Sequence, residues 1–146
     1  MGRGPVGLAR DCAGAAAVEF ALIAPVLCFF LVGAAYFLLA VFQYSSLTEG
    51  IRSGARQLAL SLNDSTPYTD TVAAIEAAAP ALDTALLSIT VSLNGNACTS
   101  DAACSSLMAG GVAAKVTGTY PCTLSVMGYV SVPHCQLSST ATEMTE

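Results

Sequence analysis

The pattern of hydrophobic and polar positions changes near residue 43. From residue 20 to residue 42 the sequence is uncharged and almost wholly apolar (FALIAPVLCFFLVGAAYFLLAVF). A helix rises about 1.5 Å per residue, so this run is long enough to cross the roughly 30 Å of hydrocarbon in a bilayer. We therefore predict a transmembrane helix over residues 20–42. The alternative is a secretory signal peptide cleaved at Ala34–Ala35, but its apolar core would be shorter, about 7 to 15 residues.

Beyond residue 43 the apolar positions recur at helical spacing, with charged residues between them. This pattern predicts that the same helix continues to about residue 62 with one buried face. The positions on that face are Leu47, Ile51, Ala55, Leu58 and Leu62. Pro25 removes one backbone hydrogen bond near the start of the helix, which predicts either a mild kink without a role or a functional bend.

The rest of the chain predicts a second helix and a small sheet. Residues 63–67 read as a turn, and a helix is expected over about residues 69–79 because Pro80 ends it. Strict alternation over residues 87–93, ending at Asn94–Gly95, predicts a strand, and residues 112–120 alternate as its antiparallel partner. Residues 136–145 are a candidate third strand, following a loop that contains Met127 and Tyr129. We therefore expect an α+β fold, with helices packed on an antiparallel sheet of about three strands.

Composition limits the possible functions. The chain has 146 residues, enough for one domain beyond the membrane segment, and a net charge of −5. Its few basic residues form no stripe, so we expect no nucleic-acid partner. His134 is the only histidine, and no catalytic elbow or phosphate-binding loop is present, so we expect no enzyme, no catalytic residue and no cofactor.

Arginines flank the predicted span on both sides, so charge alone does not orient it. Two precede the span and two follow it: Arg3, Arg10, Arg52 and Arg56. Four cysteines lie in the C-terminal part, and an even number there indicates a disulfide framework in an oxidising compartment. The sequence therefore predicts a cytoplasmic N-terminus and a periplasmic or surface-exposed C-terminal domain.

These four cysteines allow three connectivities, and the sequence alone does not choose among them. We favour two local pairs, Cys98 with Cys104 and Cys122 with Cys135. A zinc site that includes His134 is the rival, but no two cysteines have the close spacing of structural zinc ligands, so we expect no metal. The two remaining cysteines, Cys12 and Cys28, are not assigned to a site.

Glu19 lies directly before the apolar run. If the helix extends back through Ala15, the carboxylate enters or approaches the apolar zone, where an unpaired charge costs several kcal/mol. Glu19 should then have a partner. Alternatively, it lies at the level of the lipid headgroups and is hydrated.

The stretch from Gly14 to Phe20 (GAAAVEF), followed by ALIAPVL, resembles the type IV prepilin signature of TadE-like proteins of the Tad/Flp pilus system. Gly54-Ala55-Arg56 also resembles a pattern of that family. The resemblance implies a minor pilin or pseudopilin, cut between Gly14 and Ala15 by a prepilin peptidase on the cytoplasmic side. Glu19 would then be fifth in the mature chain, where it is thought to neutralise the N-terminal amine of a neighbouring subunit, with Phe20 beside it.

On this interpretation, residues 1–14 are a cytoplasmic leader, residues 15–62 the N-terminal helix, and residues 63–146 an extracytoplasmic domain. The expected partners are the bacterial inner membrane, the peptidase, other pilins and the Tad assembly machinery. The alternative is an uncleaved single-pass periplasmic scaffold or binding protein, but it leaves the register of Glu19 with Gly14 unexplained.

Overall fold

The computed structural model describes the backbone of residues 8–122, 125–126, 130–131 and 135–146, and the side chains of residues 14–122 and 135–146. The chain divides into two compact units, Met1–Leu38 and Leu39–Glu146. Several sequence predictions lie outside the described residues. They concern the start of the leader, the side chain of Cys12, the loop with Met127 and Tyr129, and His134.

The first element is a single long helix, α1 (Leu8–Leu60), which runs through Pro25 without interruption. It ends two residues before the predicted end. The chain then leaves the helix in a turn, in which Ser61 N–H donates to the carbonyl of Leu58 (3.2 Å) and Asp64 N–H donates to that of Ser61 (3.0 Å).

Two further helices and one short 3₁₀ turn follow. Helix α2 (Pro67–Ala78) confirms the predicted second helix. It starts with proline, whose missing N–H is not needed in the first turn of a helix. The 3₁₀ turn spans Thr84–Leu86. Helix α3 (Asp101–Leu107) was not predicted from the sequence.

The main sheet has four antiparallel strands in the order β2-β1-β3-β6. They are β1 (Ser88–Leu93), β2 (Asn96–Cys98), β3 (Ala113–Pro121) and β6 (Gln136–Met144). A separate two-stranded sheet joins β4 (Ser125–Val126) to β5 (Val130–Ser131). The α+β prediction is confirmed, and so are the three predicted strands.

The expectation of about three strands was one short, because β2 was missed. Asn94 and Gly95 both have positive φ, 49° and 84°, as a two-residue hairpin turn requires. The chain therefore folds back along β1 at once, and Leu93 pairs with Asn96.

The core of the second unit lies between α1 and the sheet. The predicted face of α1 is buried, with Leu47, Ile51, Ala55 and Leu58 each at 0% exposure. Helix and sheet approach most closely at Gly118 on β3, where an added Cβ would lie 2.8 Å from Ile51 Cγ1 and 3.2 Å from Leu47 Cδ1. The sheet therefore accepts the helix only because position 118 has no side chain.

Helices α1 and α2 also meet through glycines. A Cβ added to Gly50 would lie 2.9 Å from Ala79 Cβ, and one added to Gly54 would lie 2.7 Å from Ile75 Cδ1. The two glycines are one helical turn apart and both are buried. Because these positions carry no side chains, α2 can approach the backbone of α1 closely, as small residues permit between neighbouring helices.

Candidate functional site: the apolar N-terminal helix

Over residues 14–38, the described side chains of the first unit, α1 is almost wholly apolar and none of its side chains is buried. Phe20, Leu22 and Phe30 are 71%, 72% and 69% exposed, although large apolar side chains are usually buried. The stretch Gly14–Leu60 is the one helix in the described part of the chain that is long and apolar enough to cross a membrane. A helix that is hydrophobic all round needs an apolar environment. The described residues of this unit supply none.

Glu19 is the only ionisable carboxylate among the side chains that the structure describes in residues 14–38. It is exposed on α1, one helical turn after Ala15 and directly before Phe20. The described side chains of the first unit, residues 14–38, include no lysine, arginine or histidine. Among the described side chains of residues 14–38, Glu19 therefore has no basic neighbour.

Gly14 and Ala15 are exposed too. A Cβ added to Gly14 would meet no atom within 4 Å, so packing does not require glycine there. Cys28 is exposed on the same helix with a free thiol. The bond between Gly14 and Ala15 lies in a helical segment, so a peptidase would have to unwind it locally.

In the second unit, two arginines line a shallow groove on α1. Arg52 and Arg56 are exposed one turn apart, and with Glu49, Ser53 and Ala78 they border a volume of about 310 Å³. Arg56 belongs to the Gly54-Ala55-Arg56 pattern. These residues have different environments in the structure, because Gly54 is buried against α2 whereas Arg56 faces outward.

The cysteines of the second unit form two disulfides. Cys98 pairs with Cys104, with Cα atoms 5.1 Å apart, and Cys122 pairs with Cys135, with Cα atoms 5.2 Å apart. These are the two local pairs favoured from the sequence. Their oxidation in the cell stays a prediction.

Asp101 lies inside the smaller disulfide loop and caps a different helix. Its carboxylate accepts hydrogen bonds from the N–H groups of Tyr68 (2.8 Å) and Thr69 (2.9 Å) and from the Thr69 hydroxyl (2.7 Å). Thr66, at the N-cap of α2, makes no such bond, so Asp101 takes its place.

The hydrogen bonds from Thr69, backbone first and then hydroxyl, lower the pKa of Asp101, and the one from the Tyr68 backbone adds to the effect. Desolvation opposes the lowering of this pKa, with an effect larger than that of the Tyr68 hydrogen bond. The carboxylate is thus held in its charged form at the positive end of the α2 dipole.

No group of three His, Cys, Asp or Glu side chains in the described part is arranged to hold a metal ion. Because His134 lies outside that part, the zinc alternative is not tested.

The molecule is built like a single-span membrane-anchored protein, with one exposed apolar helix and one stapled α+β unit. Residues 14–56 match the family described as TadE-like protein, which confirms the resemblance in the N-terminal segment. The match covers less than a third of the chain. No curated protein and no solved structure matches the chain. The TadE-like segment points to a protein associated with a Tad-type pilus system.

Proposed function

We propose that the protein is a minor pilin or pseudopilin that takes part in assembly of a Tad/Flp-type pilus. Residues 20–42 anchor it in the inner membrane, and residues 63–146 form its periplasmic domain. The observation that carries the proposal is Glu19, which lies on α1 in register with Gly14 and directly before the exposed apolar stretch of residues 20–42. The match to TadE-like proteins over residues 14–56 supports it.

Processing supplies a positively charged partner for Glu19, which has no basic neighbour among the described side chains of residues 14–38. A prepilin peptidase cuts between Gly14 and Ala15, which removes residues 1–14 and creates a positively charged α-amine on Ala15. In a filament, this amine and the Glu19 carboxylate of a neighbouring subunit meet among apolar helices and neutralise each other. Neither charge is then left unpaired in a low-dielectric environment.

The ion pair sets the register between neighbouring subunits more than it adds stability. Taking two charges out of water costs about as much as their attraction returns, whereas an unpaired buried charge costs about 3–5 kcal/mol. Subunits out of register would carry that penalty. Phe20, exposed beside Glu19, adds an aromatic contact at the same level.

Processing is tested by the N-terminal sequence and intact mass of the protein from membranes of cells with and without the prepilin peptidase. We expect a peptidase-dependent start at Ala15, and Gly14→Val should block the cut. An intact start at Met1 or Gly2 in both strains contradicts the proposal and favours the uncleaved single-pass scaffold.

Assembly is tested separately with Glu19→Gln, which should still be cut but should fail to enter or support pili. Glu49→Gln is the matched control, because Glu49 is exposed on the same helix in the second unit. If both variants support pili equally, the charge-pairing role of Glu19 is wrong even when processing occurs.

A further inference from the structure

Strand β6 forms a long edge of the main sheet, and none of the described strands pairs with its outer side. Its nine residues pair with β3 without a bulge, from Ala113 opposite Met144 to Pro121 opposite Gln136. The strand contains no proline and no lysine, and the other edge strand, β2, has only three residues. Proteins usually shorten, charge or bend such edges, because their free backbone groups recruit other strands.

The ladder shows which backbone groups face outward. Thr145 N–H donates to Val112 C=O (2.9 Å), and Cys122 N–H donates to Cys135 C=O (3.1 Å). The odd-numbered residues of this stretch thus point their N–H and C=O groups at β3. Since the direction alternates along an antiparallel strand, Ser138, Thr140 and Thr142 point theirs away from the sheet.

The described residues leave this edge open. No turn, loop or cap hydrogen bond between backbone groups that the structure describes reaches the outward groups of residues 136–144. In the connection between β3 and β6, the described strands β4 and β5 pair with each other.

We propose that the outward edge of β6 is a docking site for an extended segment of a partner protein, which adds to the sheet as a fifth strand. The main chain supplies the attachment, and the alternating side chains select the segment. This proposal does not depend on a role in pilus assembly.

The two faces of β6 define the partner's side chains. Ser138, Thr140 and Thr142 are exposed on the open face, in register with Thr119, Thr117 and Lys115 of β3. Leu137 and Ala141 are half-buried on the face that α1 covers. The incoming strand should therefore present small polar residues on the open face and apolar residues on the helix-covered face.

Charge favours a basic partner over a second copy of this chain. Glu143 is exposed and is the only charged residue of β6, and the chain carries a net charge of −5. Opposite charges across neighbouring strands attract. Another β6 would bring a second glutamate and no base.

The probe is a capped heptapeptide, Thr-Lys-Thr-Val-Ser-Val-Thr, which in antiparallel register places its lysine opposite Glu143 and its valines opposite Ala141 and Ser139. The readout is amide hydrogen exchange of the full-length protein in detergent micelles. We expect exchange at Ser138, Thr140 and Thr142 to slow at least about tenfold, while the already paired odd-numbered amides stay unchanged. A peptide with glutamate in place of lysine should bind about two- to tenfold more weakly.

Thr140→Pro removes the central outward N–H without removing a bond to β3, so the variant should fold and lose the peptide. Thr140→Val keeps the N–H and should bind like the wild type. If Thr140→Pro fails to fold, Ser138→Pro provides the same comparison near the end of the strand.

Absence of protection up to about 1 mM peptide overturns the proposal, and so does equal binding by the proline variant. Outward amides that become protected with rising protein concentration, without peptide, also overturn it, since they would assign the edge to a second copy.

Discussion

Replacing Gly54 by alanine should weaken the packing of α2 on α1. The new Cβ would lie 2.7 Å from Ile75 Cδ1, closer still to Ile75 Cγ1, and 3.4 Å from the Thr71 carbonyl oxygen. Ile75 is fully buried, so its side chain has no open space in which to move. One of the two helices must shift.

Two effects of opposite sign determine how much Gly54→Ala changes the free energy of unfolding. Overpacking of this kind costs about 1–3 kcal/mol. Alanine is better than glycine within a helix by about 1 kcal/mol, which offsets part of that cost. We therefore expect a net loss of about 1 kcal/mol for Gly54→Ala, equivalent to a fall in melting temperature of about 4 °C.

The measurement is guanidinium unfolding of the full-length protein in detergent micelles, followed by tyrosine fluorescence, since the chain has no tryptophan. Gly110→Ala is the control, because a Cβ there would meet no atom within 4 Å. The double variant Gly54→Ala with Ile75→Ala should lose less than the sum of the two single variants, because the smaller side chain makes room.

The reasoning fails if Gly54→Ala is as stable as the wild type or more stable. Strict additivity in the double variant would also contradict it, because the steric conflict would then not be with Ile75.

Three further outcomes are expected in the second unit. Gly118→Ala should lose about 1–2 kcal/mol in the same unfolding assay, because its Cβ would press on Ile51, and equal stability would contradict this. Asp101→Asn should lower the melting temperature at neutral pH and flatten the pH dependence. Because the folded pKa of Asp101 is lowered, its contribution is complete above about pH 4 and is lost as the pH falls through that lower pKa; an unchanged acid profile would refute the role. Replacing both Cys98 and Cys104 by serine should lower the free energy of unfolding by about 2 kcal/mol. Peptide mapping that finds another pairing would contradict the two local disulfides.

Where residues close together in the chain determine the structure, the sequence was sufficient to predict it. The alternation in β1, β3 and β6 is set by one face packing on the core, and the stripe from Leu47 to Leu58 likewise identifies the buried face of α1. The roles of Gly14 and Glu19 stay predictions from a local pattern. The described side chains of residues 14–38 include no basic partner for Glu19.

Where the structure depends on distant contacts, the sequence was insufficient. Strand β2 has three residues and no alternation to detect, although Asn94–Gly95 is a strong hairpin signal. Helix α3 has seven residues, and its start is visible only as Ser100, whose hydroxyl accepts from Ala103 N–H (3.3 Å). That Asp101 caps α2, whose first turn lies more than 30 residues earlier, follows from tertiary structure alone.

The division of the core between α1 and the sheet determines what unfolding means for this protein. The buried stripe of α1 is one face of a helix that continues directly from a candidate membrane span. When the sheet separates, that stripe becomes an amphipathic surface, which binds at a lipid or detergent interface and keeps its helical hydrogen bonds there. We therefore expect the denatured state in a membrane environment to keep α1 as a helix at the interface, so that far-ultraviolet circular dichroism retains helical signal after the tyrosine signal is lost.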